Sequence, residues 1–91
     1  MQKQDFYYLM AFPTTTDVMQ AEAYLKEQIS ITIMTVPWEI SSGCGLAIRF
    51  METDKEKILQ HCQTLPNFGT LYKMLTQKVD GRHPITVIAE F

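Results

Sequence analysis

The residues with the greatest chemical reach in this chain are its two cysteines, Cys44 and Cys62, and their surroundings differ. Cys44 stands between Gly43 and Gly45 in the stretch Pro37-Trp38-Glu39-Ile40-Ser41-Ser42-Gly43-Cys44-Gly45. The glycines permit backbone angles closed to other residues and take side-chain bulk away from the sulfur, so another molecule can approach it. Ser41, Ser42 and nearby backbone N–H groups could hydrogen-bond a thiolate there. Glu39 would oppose that charge, so it is expected to point away or to meet a partner. Trp38 reads either as a lid on the sheet end or as a partner contact. Cys62 falls on the apolar stripe of a helix and reads as a small core residue. A second reading of Gly43-Cys44-Gly45 stands beside the nucleophile: an anion-binding nest in which the cysteine is incidental.

Other chemistries find little support. Zinc sites use paired Cys-x-x-Cys or spaced histidines, and Cys44, His61, Cys62 and His83 offer neither, so no metal and no cofactor is expected. A Cys–His hydrolase would need His61 or His83 to reach Cys44, which the spacing does not specify. His83, before Pro84, reads as a solvated turn residue. RNA recognition would want an aromatic pair with basic neighbours on central strands, and only Arg49 is available.

The elements that must position the loop follow from periodicity. Phe6–Phe12 is aromatic-rich, stops at Pro13 and reads as a buried strand. Thr14, three residues before Asp17, caps a helix running to about Gln28, with Val18, Ala21, Leu25 and Tyr24 on its apolar stripe. Ser30–Val36 alternates as a strand, with Ile31 and Ile33 on one side and Thr32 and Met34 on the other. Gly45–Met51 is another, with Leu46, Ile48 and Phe50 on one face. Thr53 with Glu56 opens a second helix that turns Ile58, Leu59, Cys62 and Leu65 inward. Thr70–Lys78 and Ile85–Phe91 read as strands joined through Asp80-Gly81. The order β-α-β-β-α-β plus one C-terminal strand predicts an α+β protein: a ferredoxin-like split sandwich, two helices on one face of an antiparallel sheet. In that arrangement Cys44 lies beside Thr14, Thr15, Thr16 and the start of the first helix, where a thiol pKa is lowered.

The whole chain agrees with a small folded domain. It has 91 residues, 46% of them hydrophobic and 20% charged, with eight Lys plus Arg against ten Asp plus Glu for a net charge of −2. No basic surplus exists to neutralise nucleic-acid phosphates or an anionic membrane. The longest apolar run, Phe6–Phe12, is far short of the roughly 20 residues of a membrane span. With no address label and few cysteines, the expected compartment is the cytoplasm, with reduced thiols. Residues 1–91 read as a single domain, comprising a core over 6–75 and a hairpin extension over 76–91.

The motif Pro37-x-Glu39-Ile40-Ser41-Ser42-x-Cys44-Gly45-Leu46-Ala47, with Phe12-Pro13 ending the first strand and Ala21-Glu22 in the helix, resembles the selenium/sulfur (Se/S) carrier protein-like family of small bacterial domains. The resemblance covers roughly residues 6–75. It implies a reactive carrier cysteine at Cys44, holding sulfur or selenium as a persulfide or selenopersulfide between donor and acceptor proteins. That is a carrier or accessory protein more than a stand-alone enzyme. Trp38, Glu39, Ser41, Ser42, Gly43, Gly45 and Thr14 are the residues expected around it. The competing expectation is a non-catalytic module that binds a protein or a small anion through the same loop. The hairpin from Lys78 to Phe91 offers an edge for a homodimer.

Overall fold

A computed structural model of the chain describes residues 6–40, 45–65 and 69–91. It is an α+β fold with element order β1 (Phe6–Ala11), α1 (Thr15–Leu25), β2 (Ile31–Thr35), β3 (Leu46–Phe50), α2 (Lys55–Gln63), β4 (Thr70–Leu75) and β5 (Ile85–Glu90). The five strands form one sheet in the order β2-β3-β1-β4-β5, with every neighbouring pair antiparallel. Each helix therefore joins two strands that have a third between them: β3 separates β1 from β2, and β1 separates β3 from β4. The first four strands follow the order that the ferredoxin-like expectation requires.

Alternation divides the side chains between the two faces. On one face Tyr8 and Met10 from β1, Phe12 just after it, Ile48 and Phe50 from β3 and Leu71 from β4 meet both helices through Val18, Ala21, Leu25, Ile58 and Cys62. Ile31 and Ile33 pack against this cluster, and so do Ile88 and Phe91. The opposite face carries a second, smaller cluster of Leu9, Ala11, Ala47, Met74 and Ile40. Ile40 comes from the first part of the β2–β3 connection, so residues 37–40 fold back over the open face of the sheet.

The helix starts show how local chemistry sets boundaries. Thr14 Oγ1 accepts the Asp17 N–H at 3.1 Å and donates to Asp17 Oδ2 at 2.8 Å, a reciprocal cap that fixes the start of α1 as expected. The helix itself ends at Leu25, short of Gln28. The cap of α2 is Asp54, whose Oδ1 accepts from the Glu56 N–H, rather than Thr53. Glu52 Oε1 accepts the N–H groups of both Thr53 and Asp54, which draws the chain into the turn one residue later than the Thr53–Glu56 spacing predicts. At the far hairpin, Asp80 (φ 54) and Gly81 (φ 81) form the two-residue turn that their sequence announces. Val79 and Arg82 exchange backbone hydrogen bonds across it.

Candidate functional site

The connection between β2 and β3 begins with a turn in which the Ile40 N–H bonds the Pro37 carbonyl at 3.0 Å. That turn presses Ile40, 6% exposed, onto the open sheet face and turns Trp38 outward, 68% exposed. Glu39 points across to the β4–β5 hairpin, where its Oε2 accepts the His83 N–H at 2.9 Å. The same bond, foremost, holds the Glu39 carboxyl below the usual carboxylate range. His83 is not the solvated turn residue of the sequence reading. It is half-buried, and its Nδ1 lies 3.0 Å from the Leu75 carbonyl oxygen.

Beside these, the Arg82 guanidinium lies 5.2 Å from the centroid of the Trp38 ring. Trp38, Glu39, Arg82, His83, Pro84 and Ile85 line a hollow of about 370 Å³. Deeper on the same sheet face, Arg49 lies 4.3 Å from the centroid of the Tyr7 ring, and its Nε is buried with no hydrogen-bond partner among the described residues. The Tyr7 hydroxyl donates to Met74 Sδ at 2.9 Å. Burial raises the Tyr7 pKa; Arg49 opposes that and Glu39 adds to it.

Of the residues that the sequence singled out, Trp38 and Glu39 are brought together, with Arg82 and His83 of the β4–β5 hairpin. Glu39 reaches the hairpin that follows Leu75, the partner of Phe6, whereas Gly45, one step beyond the Thr35–Leu46 pair, lies toward the end where Thr14 follows β1. Six strand residues, roughly 20 Å, separate those ends. Thr14 also starts α1, on the sheet's helix-covered side. Gly45 accepts the Val36 N–H at 3.1 Å and leads into β3, with open space where a Cβ would stand. Ser41, Ser42, Gly43 and Cys44 lie outside the described residues. Arg82 and His83 were missed because nothing near them in sequence announces Trp38 or Glu39 as neighbours. Arg49 was legible only as an open-face residue by alternation.

Cys62 is 1% exposed and packs its Sγ 3.8 Å from Met10 Sδ. Burial pushes its pKa from 9.0 up to about 12. Among the described residues no group of three His, Cys, Asp or Glu converges as a metal site. No helix among them is long and apolar enough to cross a membrane.

Residues 7–66 match the family described as "Putative Se/S carrier protein-like", and the chain belongs to it. Among curated proteins the chain is similar to an uncharacterised protein of Methanocaldococcus jannaschii, at 40% identity over 47 residues. That alignment takes in 52% of this chain and 24% of the relative, so the chain spans about a quarter of that protein's length. No solved structure matches the chain.

Proposed function

We propose that the chain is a sulfur or selenium carrier that receives a chalcogen atom on Cys44 from a donor enzyme and hands it to an acceptor. It works in this reading as an accessory protein of the cytoplasm. The observation that carries the proposal is the state of the other thiol. Family membership calls for a carrier cysteine, the chain has two, and Cys62 is buried and held neutral near pH 7. The thiolate is the attacking form, so the task falls to Cys44.

In the transfer step the Cys44 thiolate attacks the outer, sulfane sulfur of a donor persulfide. A new S–S bond forms at Cys44, the donor's S–S bond breaks, and the donor cysteine leaves as a thiolate that takes up a proton. No electrons are gained or lost overall, so no oxidant is needed. A selenopersulfide forms in the same way from a donor-bound selenium. Delivery to the acceptor is the reverse exchange with an acceptor thiol.

A carrier must dock on larger enzymes, and Trp38 stacked by Arg82 is a surface of the residue types that anchor protein interfaces. The same exposed tryptophan also favours a second reading, a module that binds a partner without using sulfur. One experiment separates them: intact-mass analysis after incubation with a cysteine desulfurase and cysteine or selenocysteine. A carrier gains the mass of one sulfur or selenium atom, removable by a thiol reductant and lost in Cys44→Ser. A folded chain that gains nothing is the module, and its partner then binds Cys44→Ser as tightly as the native chain.

A further inference from the structure

Both sheet edges are open among the described residues, and they are built differently. At β5 the register shifts between Leu71 and Tyr72, leaving Ile88 as an extra residue, and the strand is bounded by Pro84 and closes on Glu90. Bulges, prolines and charges are the devices that blunt an edge against pairing. The β2 edge has none of them. Ser30-Ile31-Thr32-Ile33-Met34-Thr35-Val36 contains no charge, no proline and no glycine.

The hydrogen bonds fix which backbone groups of β2 face outward. Val36 N–H bonds Gly45 O, and Met51 N–H bonds Ser30 O, so Ser30 and Val36 lie in bonded pairs with β3. In an antiparallel ladder bonded and non-bonded residues alternate. Thr32 and Met34 therefore also turn their backbone toward β3, and Ile31, Ile33 and Thr35 turn theirs to the open edge. The side chains of Ile31 and Ile33 are half-buried against the main core and leave their outer surface at that edge.

We propose that the partner of this edge is a second copy of the chain, paired antiparallel about Ile33 so that two sheets become one. The sequence of β2 is self-complementary in that register. Ile33 faces Ile33 of the other copy, Ile31 faces Thr35 and Thr32 faces Met34. Outward N–H and C=O groups meet their counterparts at Ile31, Ile33 and Thr35. No like charges oppose across the junction although each copy carries a net charge of −2. The half-exposed isoleucines of both copies cover one another on the helix side. The contact is small, so the association is a weak one, populated at roughly 10–100 µM.

Sedimentation velocity across that range is expected to show a monomer–dimer equilibrium. Thr35→Pro removes only an outward N–H and so leaves every bond inside the chain intact. It deletes two hydrogen bonds of the symmetric junction and is expected to weaken association about tenfold. Amide exchange of the native chain gives a second reading: the Ile31, Ile33 and Thr35 amides slow as concentration rises through the dimer range. A monomer at all concentrations overturns the proposal, as does a dimer that Thr35→Pro leaves equally tight. If that variant does not fold, fast concentration-independent exchange at the three amides overturns it.

Discussion

With its Sγ 3.8 Å from the Met10 thioether and only 1% of its surface exposed, Cys62 occupies a site where a thiolate is stripped of the water that would stabilise it. Its pKa rises to about 12 for that reason. Two consequences can be measured. At neutral pH iodoacetamide is expected to leave Cys62 unmodified in the folded chain and to label it only after denaturant is added, whereas Cys44 is labelled without denaturant. Peptide mass mapping distinguishes the two. The sign of the pH effect follows from the raised value. The unfolded thiol ionises near 9 and the folded one near 12. Below pH 9 both states hold the proton and the site's contribution is fully present. Between 9 and 12 the unfolded chain releases its proton first, so stability is lost as pH rises. Cys62→Ala, which costs about 1 kcal/mol for the missing sulfur, is expected to show a shallower loss of thermal stability over that interval than the native chain. Equal slopes would remove Cys62 as the cause.

At the scale of elements, the distinctive feature is the segment 37–40, which leaves β2 and lies down on the open face, pinned by Ile40 and by the Glu39 bond to His83. Because that bond is made to the ionised carboxylate, the Glu39 pKa is lowered. The anchor is then fully present above the usual carboxylate pKa of 4.5 and is lost as pH falls through the lower folded value. Trp38 is the chain's single tryptophan and adjoins Glu39, so its fluorescence reports the event. A titration with a midpoint below 4.5 is expected, and it is expected to vanish in Glu39→Gln. A midpoint at or above 4.5 would contradict the anchor. Local sequence encodes the elements around this segment but not the segment's own path. The strands, the Thr14 cap and the apolar stripe of Val18, Ala21 and Leu25 were legible because each is written in residues at most a few positions apart. The second cap falls one residue later than the Thr53–Glu56 spacing predicts because Asp54 Oδ1 takes the Glu56 N–H that Thr53 would have accepted, while Glu52 Oε1 takes the Thr53 and Asp54 N–H groups. The loop's path was not legible at all. Glu39 finds its partner 44 residues along the chain, and no local pattern encodes such a contact.

For the molecule as a whole, the sheet order makes the last strand more than an addition to a complete domain. The family match ends at residue 66, and residues 76–91 read in sequence as an extension beyond a core of 6–75. The folded chain gives those residues structural roles. β5 supplies the outer ladder of β4, and Phe91 exchanges two backbone hydrogen bonds with Gly69, at 2.9 and 3.2 Å. Phe91 and Ile88 pack against the cluster that contains Cys62. Gly69 itself has no room for a side chain, since a Cβ would come within 2.9 Å of the Ala11 carbonyl oxygen; β4 thus enters the sheet under close backbone contact on one side and the chain terminus on the other. On the open face, the hairpin before β5 supplies His83 and Arg82 to the loop. A chain ended after Leu75 therefore loses packing on both faces at once. The expected loss is on the order of 3 kcal/mol or more, a large share of the 5–15 kcal/mol that hold a domain of this size together. Denaturant titration of the truncated chain is expected to show a much lower midpoint. Cys62 is expected to become accessible to iodoacetamide at neutral pH, because the cluster that buries it is no longer closed. If the truncated chain instead unfolds at the full-length midpoint with Cys62 still protected, then β5 is an appendage and the first four strands close the core alone.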